Sequence, residues 1–291
     1  MLNANDPKGV RQMYTTDEAL RIRQETHDRY TVPAIDFAAW ALNCVTWRGD
    51  ESILDVGCGP GSWYNTLKTK VPNAQYTGID LHAGMLQNHP YAQGTLVGDA
   101  QYLPFPDHSF DVLMANHMMF HVPDIDRAIQ EFRRVLKPDG IFLSTTNSVH
   151  NMPELQVLIR RAVTLLVPPG TTHIQVPLPS SDRFTLETGT RMLSRYFQGV
   201  VRYDLPGMLV FPSVEPVMAY LESTRSVREP QLPPGVDWND VTLLVREQIN
   251  RLLDHFGELV INKLSGALIA TDHGGFMTQY LEYEEHAKNG S

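Results

Sequence analysis

Basic clusters, cysteines and long apolar runs are all scarce in this chain. No stretch reaches about 18 uninterrupted apolar residues and the N-terminus has no apolar leader core, so neither a membrane span nor a signal peptide is expected. Only two cysteines occur, Cys44 and Cys58, too few for a disulfide framework, and a reducing, cytoplasmic setting is expected. Lysine and arginine number 24 against 33 aspartates and glutamates, with no run of four basic residues, and the net charge is −9. Such a field repels polyanions, which argues against a nucleic-acid partner. What is present is a 42% apolar composition over 291 residues, enough to bury a core as one large α/β domain or two small ones.

From about residue 51 to 146, short β-type runs alternate with helical patterns, the rhythm of a parallel sheet covered on both faces. Strands are predicted at 51–56, 75–80, 94–98, 110–116 and 140–146. Helices are predicted at Ser62–Lys70 and Asp126–Leu136, the second stopped by Lys137-Pro138-Asp139-Gly140. Two helices precede the sheet. The first opens at the capping-box pattern Thr15-Thr16-Asp17-Glu18 and runs to about Tyr30; the second opens at Pro33. After the fifth strand, Pro153–Val167 reads as a strongly apolar helix, followed by a proline-rich loop, helices near 185–197, 213–223 and 239–256, a strand at Val200–Asp204, and a closing hairpin of Glu258–Ile261 and Ala267–Thr271.

The most informative segment is Ile53-Leu54-Asp55-Val56-Gly57-Cys58-Gly59-Pro60-Gly61. A strand closes on an aspartate and breaks into three glycines at alternate positions, which means a strained turn or a small molecule lying against the backbone. Polar residues gather at the carboxyl ends of the strands, where an open parallel sheet binds ligands: Asp55, Asp80, Asp99, Asn116 and His117. Asp80, 21 positions after Gly59, is placed to accept from both hydroxyls of a ribose. A dinucleotide fingerprint needs a third glycine where Ser62 stands, and Asp55 would repel a pyrophosphate while favouring an ammonium group.

The glycine segment resembles the first signature motif of the class I S-adenosylmethionine (SAM) dependent methyltransferases, and Gly98-Asp99-Ala100 resembles that family's adenine clamp. Leu103-Pro104-Phe105-Pro106-Asp107, His121-Val122-Pro123-Asp124 and Arg134-Val135-Leu136-Lys137-Pro138-Asp139-Gly140 are similar to its small-molecule ("type 11") branch, with Asp139 standing where a second glycine is usual. The resemblance covers about 50–146 well and weakens past 150, where Arg183-Phe184-Thr185-Leu186-Glu187 and Ile261–Ala270 still follow it. It implies SAM as cofactor, with Asp55, Gly57, Gly59, Asp80, Leu81, Met85, Asp99, Ala100 and Asn116 forming its pocket, and methylation of a small, fairly apolar acceptor at O, N or C.

Methyl transfer from a sulfonium needs positioning first and a base only where the acceptor must lose a proton. His117 and His121 are the candidate bases; their i, i+4 spacing lacks a third ligand, so no metal is expected. Tyr14, Tyr30, Trp63, Tyr64 and Phe120 are candidates to roof the cationic sulfonium, Tyr14 foremost, with core packing the simpler role for the others. The expected architecture is one Rossmann-like domain with a doubly wound seven-stranded α/β sheet whose last strand is antiparallel. Residues 1–48 would form a helical cap, 49–150 the SAM-binding core, 151–198 an inserted lid or dimer face, and 199–275 the completion of the sheet. A tRNA or protein methyltransferase, a NAD(P)-dependent oxidoreductase and a non-catalytic SAM-binding partner remain alternatives.

Overall fold

The computed structural model describes residues 18–171 and 173–273. In chain order these form α1 (Glu18–Tyr30), β1 (Thr31–Val32), α2 (Phe37–Asn43), β2 (Ser52–Val56), α3 (Tyr64–Lys70), β3 (Gln75–Asp80), α4 (Ala83–Leu86), β4 (Thr95–Val97), β5 (Phe110–Asn116), α5 (Ile125–Val135) and β6 (Leu136–Asn147). There follow α6 (Pro153–Leu166), α7 (Leu186–Leu193), β7 (Gly199–Phe211), α8 (Val214–Glu222), α9 (Arg225–Arg228), α10 (Trp238–Phe256) and β8 (Leu259–Thr271). The strands pair in the order β1-β7-β8-β6-β5-β2-β3-β4. The stretch from β6 to β4 is parallel, and β8 runs antiparallel to β6. This is the α/β, doubly wound arrangement expected, with an eighth strand: β1, two residues long, pairs antiparallel with β7 through Thr31 and Leu209.

The chain divides into two compact units. Of the described residues, one unit, the sheet unit, comprises Asp36–Ser148, Arg183–Asp204 and 265–273; the other, the helical unit, comprises 18–35, Val149–Asp182 and Leu205–Leu264. These lines fall elsewhere than the cap, core and lid boundaries drawn from the sequence, because β7 and β8 each begin in one unit and end in the other. Three local expectations are corrected. The predicted closing hairpin is one continuous strand, β8, since Ser265 and Gly266 extend the ladder opposite Asn147 and Thr146. Val200–Asp204 is the first half of a longer strand, β7. Lys137-Pro138-Asp139-Gly140 does not turn ahead of a strand but lies inside β6 as a bulge, the register slipping between Phe110 opposite Leu136 and Val112 opposite Ile141.

Within the sheet unit the two faces of the central strands bury different partners, as period-two side-chain alternation requires. Leu54, Leu113 and Ala115 pack with Ala128, Ile129 and Phe132 of α5, whereas Ile53, Val112 and Met114 pack with Ala41 and Leu42 of α2 and Leu67 of α3. In the helical unit α6 buries Leu155, Leu158, Ile159, Ala162 and Val163 in a cluster with Val217 and Leu221 of α8 and Trp238, Val241, Val245 and Ile249 of α10. The apolar face read as a lid or dimer surface is thus occupied by neighbouring helices. Trp238 is fully buried and satisfies its indole by donating to Glu222 Oε2 at 2.9 Å.

No helix among the described residues is long and apolar enough to cross a membrane. The switch in strand order falls between β2, with β3 on one side, and β5 on the other. Ligands of open α/β sheets bind outside the carboxyl ends of the strands at such a point.

Candidate functional site

The turn after β2 is tied to β3 by its backbone: the Gly57 and Cys58 N–H groups both donate to Ile79 O, at 2.7 and 3.2 Å. Gly57, Gly59 and Gly61 hold φ of +68°, +53° and +78°, a region where a side chain is strained. Their surroundings distinguish them. A Cβ at Gly57 would stand 2.8 Å from Met118, and one at Gly61 would stand 2.6 Å from Pro90 and 2.7 Å from the His89 ring. The chain itself fills both positions. At Gly59 the nearest neighbour is the Met85 methyl at 3.5 Å, so this glycine alone of the three presents backbone with room beside it.

Asp80, at the end of β3, spends its carboxylate on that turn: Oδ2 accepts from the Gly59 N–H at 3.0 Å and Oδ1 from the His82 N–H at 2.9 Å. Each oxygen keeps a second lone pair, so the group is oriented by the backbone and still able to accept from a diol. Burial raises its pKa, opposed by the amides of His82 and Gly59. Asp55, at the end of β2, is 3% exposed, and burial pushes it up to about 7; the Tyr76 hydroxyl draws it down and the Asp80 charge adds to the rise. The structure therefore sets two carboxylates in each other's field at the glycine turn, and neither forms an ion pair with lysine or arginine among the described residues.

Tyr76 and His89, which the sequence reading missed, complete this arrangement. The Tyr76 hydroxyl donates to Asp55 Oδ2 at 3.0 Å and lies 3.0 Å from His89 Nε2. His89 Nδ1 accepts from the Tyr91 N–H at 3.0 Å, and burial lowers the pKa of the ring. A neutral imidazole that accepts at Nδ1 carries its proton on Nε2. The hydrogen bonds therefore run in one direction, from His89 to Tyr76 to Asp55.

The remaining expected pocket residues lie at the same strand ends. Met85 and Ala100 are buried and Leu81 is 41% exposed beside Asp80. The Asp99 carboxylate accepts from the Gln101 N–H at 2.8 Å and from Gln101 Nε2 at 3.0 Å. Asn116 closes β5 with Oδ1 accepting from Thr145 Oγ1 at 3.2 Å, while its buried Nδ2 has no hydrogen-bond partner. His117 follows with φ +51°, its N–H donating to Thr145 O at 2.9 Å and its ring 5.4 Å from that of Phe37, which also meets Trp63 edge-on at 6.0 Å. Phe37 was not expected here. His121 sits one short 3₁₀ turn later, its ring 4.5 Å from Phe120. Tyr64 stacks on Tyr91 at 5.6 Å, and Tyr30 packs on Phe211 at 5.0 Å within the helical unit. Tyr14 lies outside the described residues.

The proline-rich motif ahead of β5 has a mechanical explanation. Arg134 donates to the carbonyls of Leu103 at 3.0 Å and Phe105 at 2.8 Å, to Asp107 at 2.8 Å, and to both oxygens of Glu131. The Glu131 side chain is only 8% exposed and also accepts from the Leu103 N–H at 2.9 Å. Removing the guanidinium would leave that carboxylate only the Leu103 N–H and Arg127, whose Nη2 stands 3.5 Å from Oε1. Arg134→Met is expected to lower stability by about 3 kcal/mol, read as a lower urea midpoint with an unchanged slope; an unchanged midpoint would contradict the clamp.

Residues 54–144 match the family model described as a methyltransferase domain. Residues 54–144 therefore carry a methyltransferase domain. A demethylmenaquinone methyltransferase from Staphylococcus aureus is 36% identical over 113 residues, covering 36% of this chain and 47% of that protein. The chain thus spans about half the length of the curated relatives it matches. The fold is shared with Haemonchus contortus phosphoethanolamine N-methyltransferase 2 in complex with SAM (TM-score 0.55, 15% identity, 94% of this chain and 61% of that one). It is shared equally with the [4+2]-cyclase SpnF (TM-score 0.52, 17% identity, 91% and 96%). A methyltransferase fold therefore does not by itself name the reaction, which has to be argued from the site.

Proposed function

We propose that this protein transfers the methyl group of SAM to a small, fairly apolar acceptor through oxygen, nitrogen or carbon. The observation that carries the reading is the pair of carboxylates, Asp55 and Asp80, at the glycine turn with no lysine or arginine paired to either among the described residues. Such a pair suits a ligand bearing an ammonium and a sulfonium and repels a pyrophosphate. The residues fit the cofactor in three further respects: open backbone at Gly59, a preoriented diol acceptor at Asp80, and an unpartnered buried donor at Asn116 Nδ2.

When bound, SAM supplies a methyl group for in-line displacement from sulfur, which leaves as a neutral thioether. The protein's part is to orient and to handle protons. Asp80 takes the ribose hydroxyls, Asp55 the ammonium directly or through water, and Asp99 with the Ala100 N–H the adenine. Leu81 and Met85 line the pocket. Asn116 orients a ligand polar group, and His117 removes the acceptor's proton where one must leave. The Phe37 ring restrains His117. The demethylmenaquinone named for the staphylococcal relative is consistent with an apolar acceptor, and the acidic composition supports a small molecule over nucleic acid as substrate. A reducing cytoplasmic location follows from the same reading, with cysteines kept as thiols.

Incubation with methyl-labelled SAM and a panel of phenols, quinols, amines and tRNA tests this proposal. Label should appear in small organic molecules; label in tRNA alone, or none from a protein that binds SAM, would overturn it. His117→Ala is expected to reduce turnover about 100- to 10,000-fold, the range of a general base, with SAM affinity unchanged. Equal turnover across the pH range would remove His117 from the mechanism.

A further inference from the structure

The helical unit holds an arginine whose environment the proposed methyl transfer leaves unexplained. Arg228, the last residue of α9, is 5% exposed. Both of its guanidinium hydrogen bonds are made by Nη1, to Gln156 Oε1 at 3.0 Å and Pro177 O at 2.8 Å, and its buried Nε has no partner. Its acceptors are neutral, and it forms no ion pair among the described residues. Arg225, one turn earlier and on the surface, is paired with two carboxylates, Glu222 and Glu229. The local acids thus serve the cation that water already solvates, while the buried one has none. Leaving a buried charge without a counter-charge is among the costliest arrangements in a protein interior, so its retention calls for an anion.

The surroundings add donors and positive charge. The Tyr220 phenol lies in the fields of both Arg23 and Arg228, and its ring meets His27 edge-on at 5.7 Å. Arg23 is held by the Ser223 carbonyl, which Nη1 reaches at 2.9 Å, again a neutral acceptor. Gln156 Nε2 shares Pro177 O with Arg228, which fixes the amide that braces the guanidinium. Arg228 also feels the Asp182 carboxylate, with which it forms no ion pair among the described residues. A guanidinium with Nη1 engaged still offers its Nε side, an edge that can take an oxyanion through parallel hydrogen bonds.

We propose that Arg228, with Tyr220, Gln156 and Arg23, forms a site in the helical unit for the carboxylate or phosphate group of a small molecule. Two oxygens of the ligand would accept from the free edge of Arg228, and Asp182 is the competing charge that limits affinity. The site is independent of the SAM pocket in its residues.

Thermal unfolding of the full chain with inorganic phosphate or benzoate, against chloride at equal ionic strength, tests the site. At least one oxyanion should raise the midpoint by several degrees, phosphate alone pointing to phosphate esters and benzoate alone to carboxylates. Arg228→Met should abolish the shift while keeping that produced by SAM. No shift with either anion, or an equal shift in Arg228→Met, overturns the proposal. Should that variant fail to fold, Asp182→Asn decides: the account requires several-fold tighter oxyanion binding, and unchanged or weaker binding contradicts it. SAM is measured in parallel, so failure of this site is distinguishable from failure of the methyltransferase reading.

Discussion

Asp80→Ala is expected to weaken SAM binding on the order of 100-fold, from the loss of about 3 kcal/mol in hydrogen bonds to a charged acceptor. Two effects combine. The ribose loses its acceptors, and the Gly59 N–H loses the carboxylate that fixes it at 3.0 Å, so the open segment of the turn is released as well. Asp80→Asn separates them, because one amide oxygen can still accept from a backbone N–H while its NH₂ group cannot replace the other acceptor. Its affinity should fall between those of the wild type and Asp80→Ala. Calorimetric titration gives these values, and circular dichroism checks that the fold survives. An Asp80→Ala protein that binds SAM as tightly as the wild type would remove the proposed ribose contact.

The second large effect is a pH dependence set by Asp55. Burial holds this carboxyl near 7, so at neutral pH an appreciable fraction is protonated in the ligand-free protein. A docked ammonium favours the ionised form, and SAM binding should release protons near pH 7. Affinity should fall as the pH drops below about 7, approaching tenfold per unit for a group ionised only in the complex. Stability of the ligand-free protein should follow the opposite trend. Between the unfolded value near 3.8 and the folded value near 7 the native state holds the extra proton, so this group's contribution declines as pH rises through that window. Tyr76→Phe removes the donor that draws Asp55 down and should move the binding midpoint upward; Asp55→Asn should flatten the profile. Titration in buffers of different ionisation enthalpy counts the protons, and a count of zero at pH 7 would contradict the assignment.

The sheet was legible in the sequence where strand and helix periods alternate cleanly. Strands β2 to β5, and α5 with its stripe of Ile125, Ala128, Ile129, Phe132 and Val135, lie close to the expected positions. Prolines and glycines misled where tertiary pairing overrides local turn chemistry. Lys137-Pro138-Asp139-Gly140 is carried as a bulge inside β6, and Ser265-Gly266 continues β8 through what reads as a turn. At the site, the glycines and strand-end acids declare themselves by position, because a charged residue closing an apolar run needs a reason. Tyr76 and His89 do not: an aromatic in a strand reads as core, and a histidine before a proline reads as loop. Phe37 likewise passes as an ordinary helix residue until its ring is seen beside His117. Arg228 escaped notice because Arg228-Glu229-Pro230 has the composition of a surface loop, and only burial shows that the cation is enclosed.

The most direct measurement is thermal unfolding of the purified protein with SAM, with S-adenosylhomocysteine and with NADH, each well above its expected dissociation constant. A ligand at 100 times that constant adds about 2.7 kcal/mol, several degrees of midpoint for a domain of this size. The account predicts a shift with the two sulfur nucleosides and none with NADH; a shift with NADH alone would contradict it.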